Sequence, residues 1–245
     1  MGADWTILPI LAVLFLATLI RSAFGFGEAL VAVPLLALLM PVEEAVPLAT
    51  LVSITVAAIV VAQDWRKMHL RGAGWLVIST LFGLPLGLWL LTTVAETAVK
   101  AILAVVIVGF SSYCLISRSP YQLQDDRWAW AFGFGAGVLG GAYGMNGPPL
   151  VIYGSLRQWS PEQFRATLQG YFLPASLLGM GGYWLSGLWT LGVTRHFLWS
   201  LPLALAAIFL GRAINRRMNG RSFLLYVHVG LLLVGAVLLI QSMRR

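Results

Sequence analysis

The sequence predicts an all-α integral membrane protein of two inverted repeats, each of about five membrane segments, with a short or broken helix after a glycine break in each half. Three observations carry this. The 245 residues are 59% hydrophobic and only 10% charged, against about 25% charged in a soluble domain, so a water-soluble fold could not hide the apolar surface and lipid must solvate it. Several apolar runs approach the roughly 20 residues needed to cross the hydrocarbon core as a helix, and the alternation over about 10 residues that marks an outer-membrane barrel is absent. Glycine-rich interruptions recur at corresponding places in the two halves.

Taken in order, residues 1–6 carry no Lys or Arg, only Asp4. A secretory signal needs a positive n-region, so 7–24 reads as the first membrane helix. The break Gly25-Phe26-Gly27 follows, then a short segment at 28–40. Three longer segments, 45–62, 73–92 and 97–117, complete the first repeat, residues 1–120. The most polar stretch, Ser117 to Trp128, joins the halves. The second repeat, 128–245, holds 128–141, a second break at Gly144-Met145-Asn146-Gly147, a short segment at 147–158, and longer ones at 163–185, 196–214 and 222–241. Pro41 and Leu48 match Pro161 and Leu168 at a spacing of 120; Arg71, Trp75 and Gly87 match Arg195, Trp199 and Gly211 at 124. Two consistent registers in chain order indicate a duplication.

Charge placement orients the repeats. The formal net charge is +7, and the basic residues sit in gaps between apolar runs, where they act as topology determinants rather than a nucleic-acid surface. Arg66, Lys67 and Arg71 place the gap after the third segment inside. In the second half the next gap along, with Arg212, Arg216, Arg217 and Arg221, is the basic one. Equivalent gaps therefore face opposite sides, which requires an odd number of crossings per half. Arg21, Arg118, Arg127, Arg157 and Arg165 then also fall inside, making twelve of the 16 basic residues cytoplasmic. Glu43 and Glu44 and both termini fall outside. An inverted repeat is a common transporter plan.

A glycine break exposes backbone amides and carbonyls that lipid cannot satisfy, so it must line a cavity or be buried against protein. Gly147-Pro148-Pro149 reads as a helix start, because proline suits a first helical turn. Two helix N-termini, one per half, would bring partial positive charge and free N–H donors to one place and form an anion site. The candidate substrate-binding residues are Gly25, Phe26, Gly27, Tyr143, Gly144, Met145, Asn146 and Gly147, with Phe24 as a further wall and Asn146 as a side-chain donor. The same glycines would equally serve close helix packing. Glu28, a carboxylate inside an apolar run, is a functional candidate by position: it could carry a coupling proton or cap the helix it begins. Arg21 reads first as a snorkelling anchor. Arg165 is an anchor or a guide for an incoming anion. Trp65, Trp75, Trp128 and Trp199 fit an interfacial belt. Cys114 is single, and His69, His196 and His228 lack metal-ligand spacing, so no metal site is expected. No cofactor-binding motif, phosphate-cradling loop or Ser-His-Asp arrangement is present, and an enzyme is not expected.

Ala23 to Pro34, Ala45-Val46-Pro47-Leu48 and Trp65-Arg66, with Gly140-Gly141 through Asn146-Gly147-Pro148-Pro149-Leu150 and Phe164-Arg165-Ala166-Thr167-Leu168, make the chain resemble the sulfite exporter TauE/SafE family over essentially its whole length. The Gly-Pro-Pro and Phe-Arg-Ala-Thr elements are the most specific. The resemblance implies an inner-membrane transporter of sulfite or other small sulfur-containing anions, organosulfonates included. Members are usually described with seven or eight crossings in two four-helix halves; ten segments are counted here because the two short ones are included. Glu28 stands where the family's first break often continues with glycine or another small residue. The expected partners are a small anionic substrate and the lipid bilayer. The function expected is a secondary carrier exporting such an anion, coupled to the proton gradient or membrane potential; a passive anion channel and a non-transporting scaffold are the alternatives. Whether the short segments cross or re-enter, and whether the chain forms a homo-oligomer, stay open.

Overall fold

Nine helices follow one another among the described residues: α1 Ile7–Phe24, α2 Glu28–Leu36, α3 Val42–Asp64, α4 Leu70–Thr93, α5 Glu96–Ile116, α6 Trp128–Tyr143, α7 Gly147–Leu156, α8 Pro161–Leu185 and α9 Leu191–Asn215. The computed structural model describes residues 7–64, 70–116, 127–159 and 161–215, together with 123, 125 and six helical positions between 229 and 240. Side chains at Phe24, Cys114 and 161–166, among others, lie outside that description, as do Trp65, His69, His228 and most of the polar join. No strand occurs among the described residues. Four helices (α3, α4, α5 and α9) are long and apolar enough to cross a membrane, and α1 is a shorter apolar helix. Their outer faces carry exposed Phe82, Trp89, Leu205 and Phe209. So much contiguous apolar surface suits lipid, and the chain is a multi-pass membrane protein.

The short segments are hairpin arms. α7 has 10 residues, about 15 Å of helix, half the roughly 30 Å of hydrocarbon. It runs back along α6: Phe132 stacks on Tyr153 at 5.3 Å between ring centroids. At its far end Leu123 N–H donates to Leu156 O at 2.8 Å, and Arg157 Nη1 donates to Leu123 O at 3.1 Å. The chain thus leaves α7 beside the point where it entered α6. α2, with 9 residues, folds back on α1 in the same manner, and α3 then packs on it.

Around these hairpins the long helices pair. α4 lies against α6 and α8, α1 against α9, and α3 against α2, α8 and α9. The α4–α6 contact is backbone on backbone. Gly133 faces Leu76 and Ser79, Gly137 faces Thr80 and Gly83, and Gly141 faces Leu84 and Gly87. Residue numbers rise together on both helices, so they run parallel. A Cβ at Gly137 would lie 2.3 Å from the Thr80 carbonyl oxygen, too close for any side chain; small residues are what let membrane helices approach this far. On the opposite side Gly211 of α9 meets Leu19 and Ser22 of α1 in the same way. Thr80 Oγ1 and Tyr171 OH, 2.5 Å apart, tie α8 to the α4–α6 pair.

The helix limits fall within a few residues of the expected segments except at α2, which ends at Leu36 rather than 40, and at α9, which starts at Leu191 rather than 196; the last expected segment, 222–241, lies mostly outside the described residues. Thr190 Oγ1 accepts the Val193 N–H at 3.2 Å, a side-chain cap that draws the polar turn into the helix. Arg195 therefore sits on a helical turn, its guanidinium 5.5 Å from the Trp199 ring centroid, and not in a loop.

Candidate functional site

The two breaks share a closing glycine and a spacing, and differ at the residue before the short helix, Gly27 at φ 95° and Asn146 at φ −74°. Gly25 closes α1 in the left-handed region (φ 85°), its N–H donating to Arg21 O at 2.6 Å. Gly144, 119 residues later, closes α6 with φ 64° and its N–H on Gly140 O at 2.8 Å. Glycine reaches this conformation without a Cβ penalty, which is why it ends helices so often. Two residues follow in each case. Then α2 begins at Glu28 after Gly27, and α7 at Gly147 after Asn146, again 119 apart. Neither preceding residue caps its helix with a side-chain hydrogen bond, so the first-turn amides lack a capping partner.

Both helix starts open on a single cavity of about 30 Å³, at least twice the roughly 10–15 Å³ that one water requires. Phe26, Gly27 and Glu28 line it from the first break, and Gly144, Met145, Asn146, Gly147 and Pro148 from the second. The rest of the wall comes from other helices: Arg21 on α1, Ser53 on α3, Phe110 on α5, and Phe172 and Ser176 on α8. Ser53 is the twelfth residue of the 23 in α3, and Phe172 the twelfth of the 25 in α8. The cavity therefore meets two long helices at mid-height. Pro174, between Phe172 and Ser176, removes one hydrogen bond from the α8 ladder at that level.

Among the described residues, charge at the cavity comes from one pair. Arg21 and Glu28 are 4% and 2% exposed. Arg21 Nη1 donates to Glu28 Oε2 at 2.8 Å and also to Ser53 Oγ. Thr18 Oγ1 donates to Glu28 Oε1 at 3.3 Å. The guanidinium lies 5.1 Å from the Phe172 ring centroid, a cation–π contact. Its Nε and Nη2 are buried without a hydrogen-bond partner. Those two nitrogens share one edge of the planar group, the edge that grips two oxygens of an oxyanion at once. Asn146 Oδ1 is also buried and unpartnered; it packs on Gly140, where a Cβ would be 1.8 Å from it. Tyr183 OH on α8 donates to Gly140 O and so props the same turn.

The structure thus brings Phe26, Gly27, Glu28, Gly144, Met145, Asn146 and Gly147 around one space. It separates others. Tyr143 is fully buried and turned toward α5, its hydroxyl donating to Val99 O at 2.9 Å, so it braces the hairpin instead of walling the cavity. Gly25 is spent on closing α1 and is not among the lining residues. The side chains of Phe24 and Arg165 lie outside the described residues. The anchor expectation for Arg21 is overturned: the side chain folds into the protein because Glu28 and Ser53 offer partners there. Ser53 and Ser176 were not anticipated, though each is a hydroxyl within an apolar stretch of corresponding helices. Phe110 and Phe172 carried no signal among so many apolar neighbours. Among the described residues no three His, Cys, Asp or Glu side chains gather as metal ligands would.

The family model for the sulfite exporter TauE/SafE matches residues 10–238 of the chain. No curated protein and no solved structure matches it.

Proposed function

This chain belongs to the sulfite exporter TauE/SafE family, a family of membrane transporters, and from that premise we propose that it is a secondary transporter. It exports sulfite or an organosulfonate across the bacterial inner membrane, driven by the proton gradient or the membrane potential. The observation that carries this reading is the cavity shared by two helix starts and a buried arginine with a free edge. Helix N-termini favour anions through their amides and dipoles, and mid-height placement suits a site reached alternately from each side.

In this reading the anion contacts the break residues Phe26, Gly27, Gly144, Met145, Asn146 and Gly147. Gly25 and Tyr143 set the shape of the breaks, and Arg165 guides substrate inward. Glu28 carries a coupling proton or serves as the fixed counter-ion of Arg21. Three aromatic rings, Phe26, Phe110 and Phe172, crowd a cavity of about 30 Å³. So closed a space favours a carrier over an open pore.

The two halves, 1–120 and 128–245, act as inverted repeats. What supports this is the pairing of helices. Exchanging α1, α2, α3 and α4 with α6, α7, α8 and α9 turns the α1–α9 contact into α6–α4, α1–α2 into α6–α7, and α3–α9 into α8–α4, each of which occurs. The close glycines follow the same exchange, Gly87 against α6 and Gly211 against α1.

Proteoliposomes preloaded with sulfite, taurine or sulfoacetate test the function. Protein-dependent, saturable efflux with counterflow is expected. A folded sample that moves none of these anions would defeat the proposal, and single-channel currents would replace the carrier with a pore.

A further inference from the structure

Resting on the transport reading above, we infer that the site selects a monovalent oxyanion presenting two oxygens on one face, so that sulfite is carried as hydrogensulfite, and that Glu28 sets this valence. The inference follows from the charges that reach the cavity. Among the described residues Arg21 and Glu28 are the charged side chains lining it, and their 2.8 Å ion pair cancels formally. What remains is two helix starts, each carrying roughly half a positive charge. Together they complement one negative charge, not two. A second charge would be buried without a partner, which a low-dielectric interior penalises heavily.

The donors give the geometry. Nη1 of Arg21 is occupied by Glu28 and Ser53, which fixes the guanidinium plane. Nε and Nη2 are buried without a hydrogen-bond partner, on a residue that lines the cavity. A pair of parallel N–H groups matches two oxygens of a sulfonate or hydrogensulfite. Around it Phe26, Met145, Phe110 and Phe172 supply apolar wall, which accepts a carbon substituent. Glu28 is the selector because it removes the one unit of charge that would otherwise make the cavity a dianion site.

Binding to the purified full-length protein tests this with methanesulfonate, sulfate and sulfite. Methanesulfonate is expected to bind at least about tenfold more tightly than sulfate. As pH falls through neutrality and sulfite converts to hydrogensulfite, the apparent affinity for total sulfite should improve relative to methanesulfonate; taking the ratio cancels titration of the protein. In Glu28→Gln the preference for methanesulfonate over sulfate should shrink by about tenfold. In Arg21→Lys, which keeps the charge and loses the fork, methanesulfonate should weaken by a similar factor. Sulfate bound as tightly as methanesulfonate by the wild type would overturn the inference while leaving transport intact. A sulfite affinity that improves as pH rises would overturn it too. Binding of none of the three by folded protein would overturn the transport reading itself. The wild-type comparisons stand even where a variant fails to fold.

Discussion

Arg21 Nη1 and Glu28 Oε2 lie 2.8 Å apart across a break in the chain. They are seven positions apart in the chain, and the left-handed glycines Gly25 and Gly27 lie between. The pair thus ties the end of α1 to the start of α2, holding the first helix start against the cavity while it orients the free edge of the guanidinium.

Removing one member of that pair strands the other. Arg21→Met is expected to lower stability by about 3–5 kcal/mol, as when a buried ion pair loses one partner, whereas Arg21→Met combined with Glu28→Leu should cost much less. Thermal unfolding in detergent measures both. A loss in the double variant equal to the sum of the Arg21→Met and Glu28→Leu losses would mean that the two charges are not coupled.

Asn146→Ala and Gly147→Leu are expected to cut anion flux in proteoliposomes by about tenfold or more while the protein remains monodisperse. Gly147→Leu puts a side chain at the first residue of α7, where the cavity is lined. Flux at the wild-type level in both variants would favour a scaffold over a transporter.

Gly140→Ala places a methyl 1.8 Å from Asn146 Oδ1, so the Asn146 side chain must move. Flux should fall as it does in Asn146→Ala, and the double variant should lose little more, since both changes act through one side chain. Additive losses would show that Gly140 acts through something else, such as its carbonyl's bond to Tyr183.

Gly137→Ala, by contrast, lies in the α4–α6 seam. Its methyl would meet the Thr80 carbonyl oxygen at 2.3 Å, and overpacking of this kind costs about 1–3 kcal/mol or more. The unfolding temperature should drop, while the folded fraction keeps its anion affinity.

Glu28→Gln separates a proton carrier from a fixed counter-ion. Among the described residues Arg21 is the charged side chain facing Glu28. If Glu28 carries the coupling proton, the variant loses the pH dependence of methanesulfonate flux and loses flux more than binding. An unchanged pH profile would remove that role.

The sequence made the helices and both breaks readable because their causes are local. Consecutive prolines after Gly147 mark a helix start, and glycines before short apolar runs mark interruptions. The direction of a side chain is not local. Arg21 beside a helix end looks like an anchor, and its partner Glu28 lies beyond the break, outside the three- or four-residue spacing at which helical pairs meet. Tyr143 sits beside the second break in the chain, yet its hydroxyl goes to Val99 on α5, a contact between elements 44 residues apart that no pattern encodes. Ser53 joins the site through a tertiary contact of the same kind.

The most direct test is the position of a bound substrate analogue. Selenite, a heavier counterpart of sulfite, can be located in a crystal or cryo-EM structure at a concentration that saturates flux. Its density is expected between the Arg21 Nε–Nη2 edge and the Gly147 amide. Selenite bound only at the protein surface, with the space between the two helix starts left without it under those conditions, would contradict a site formed by the paired breaks.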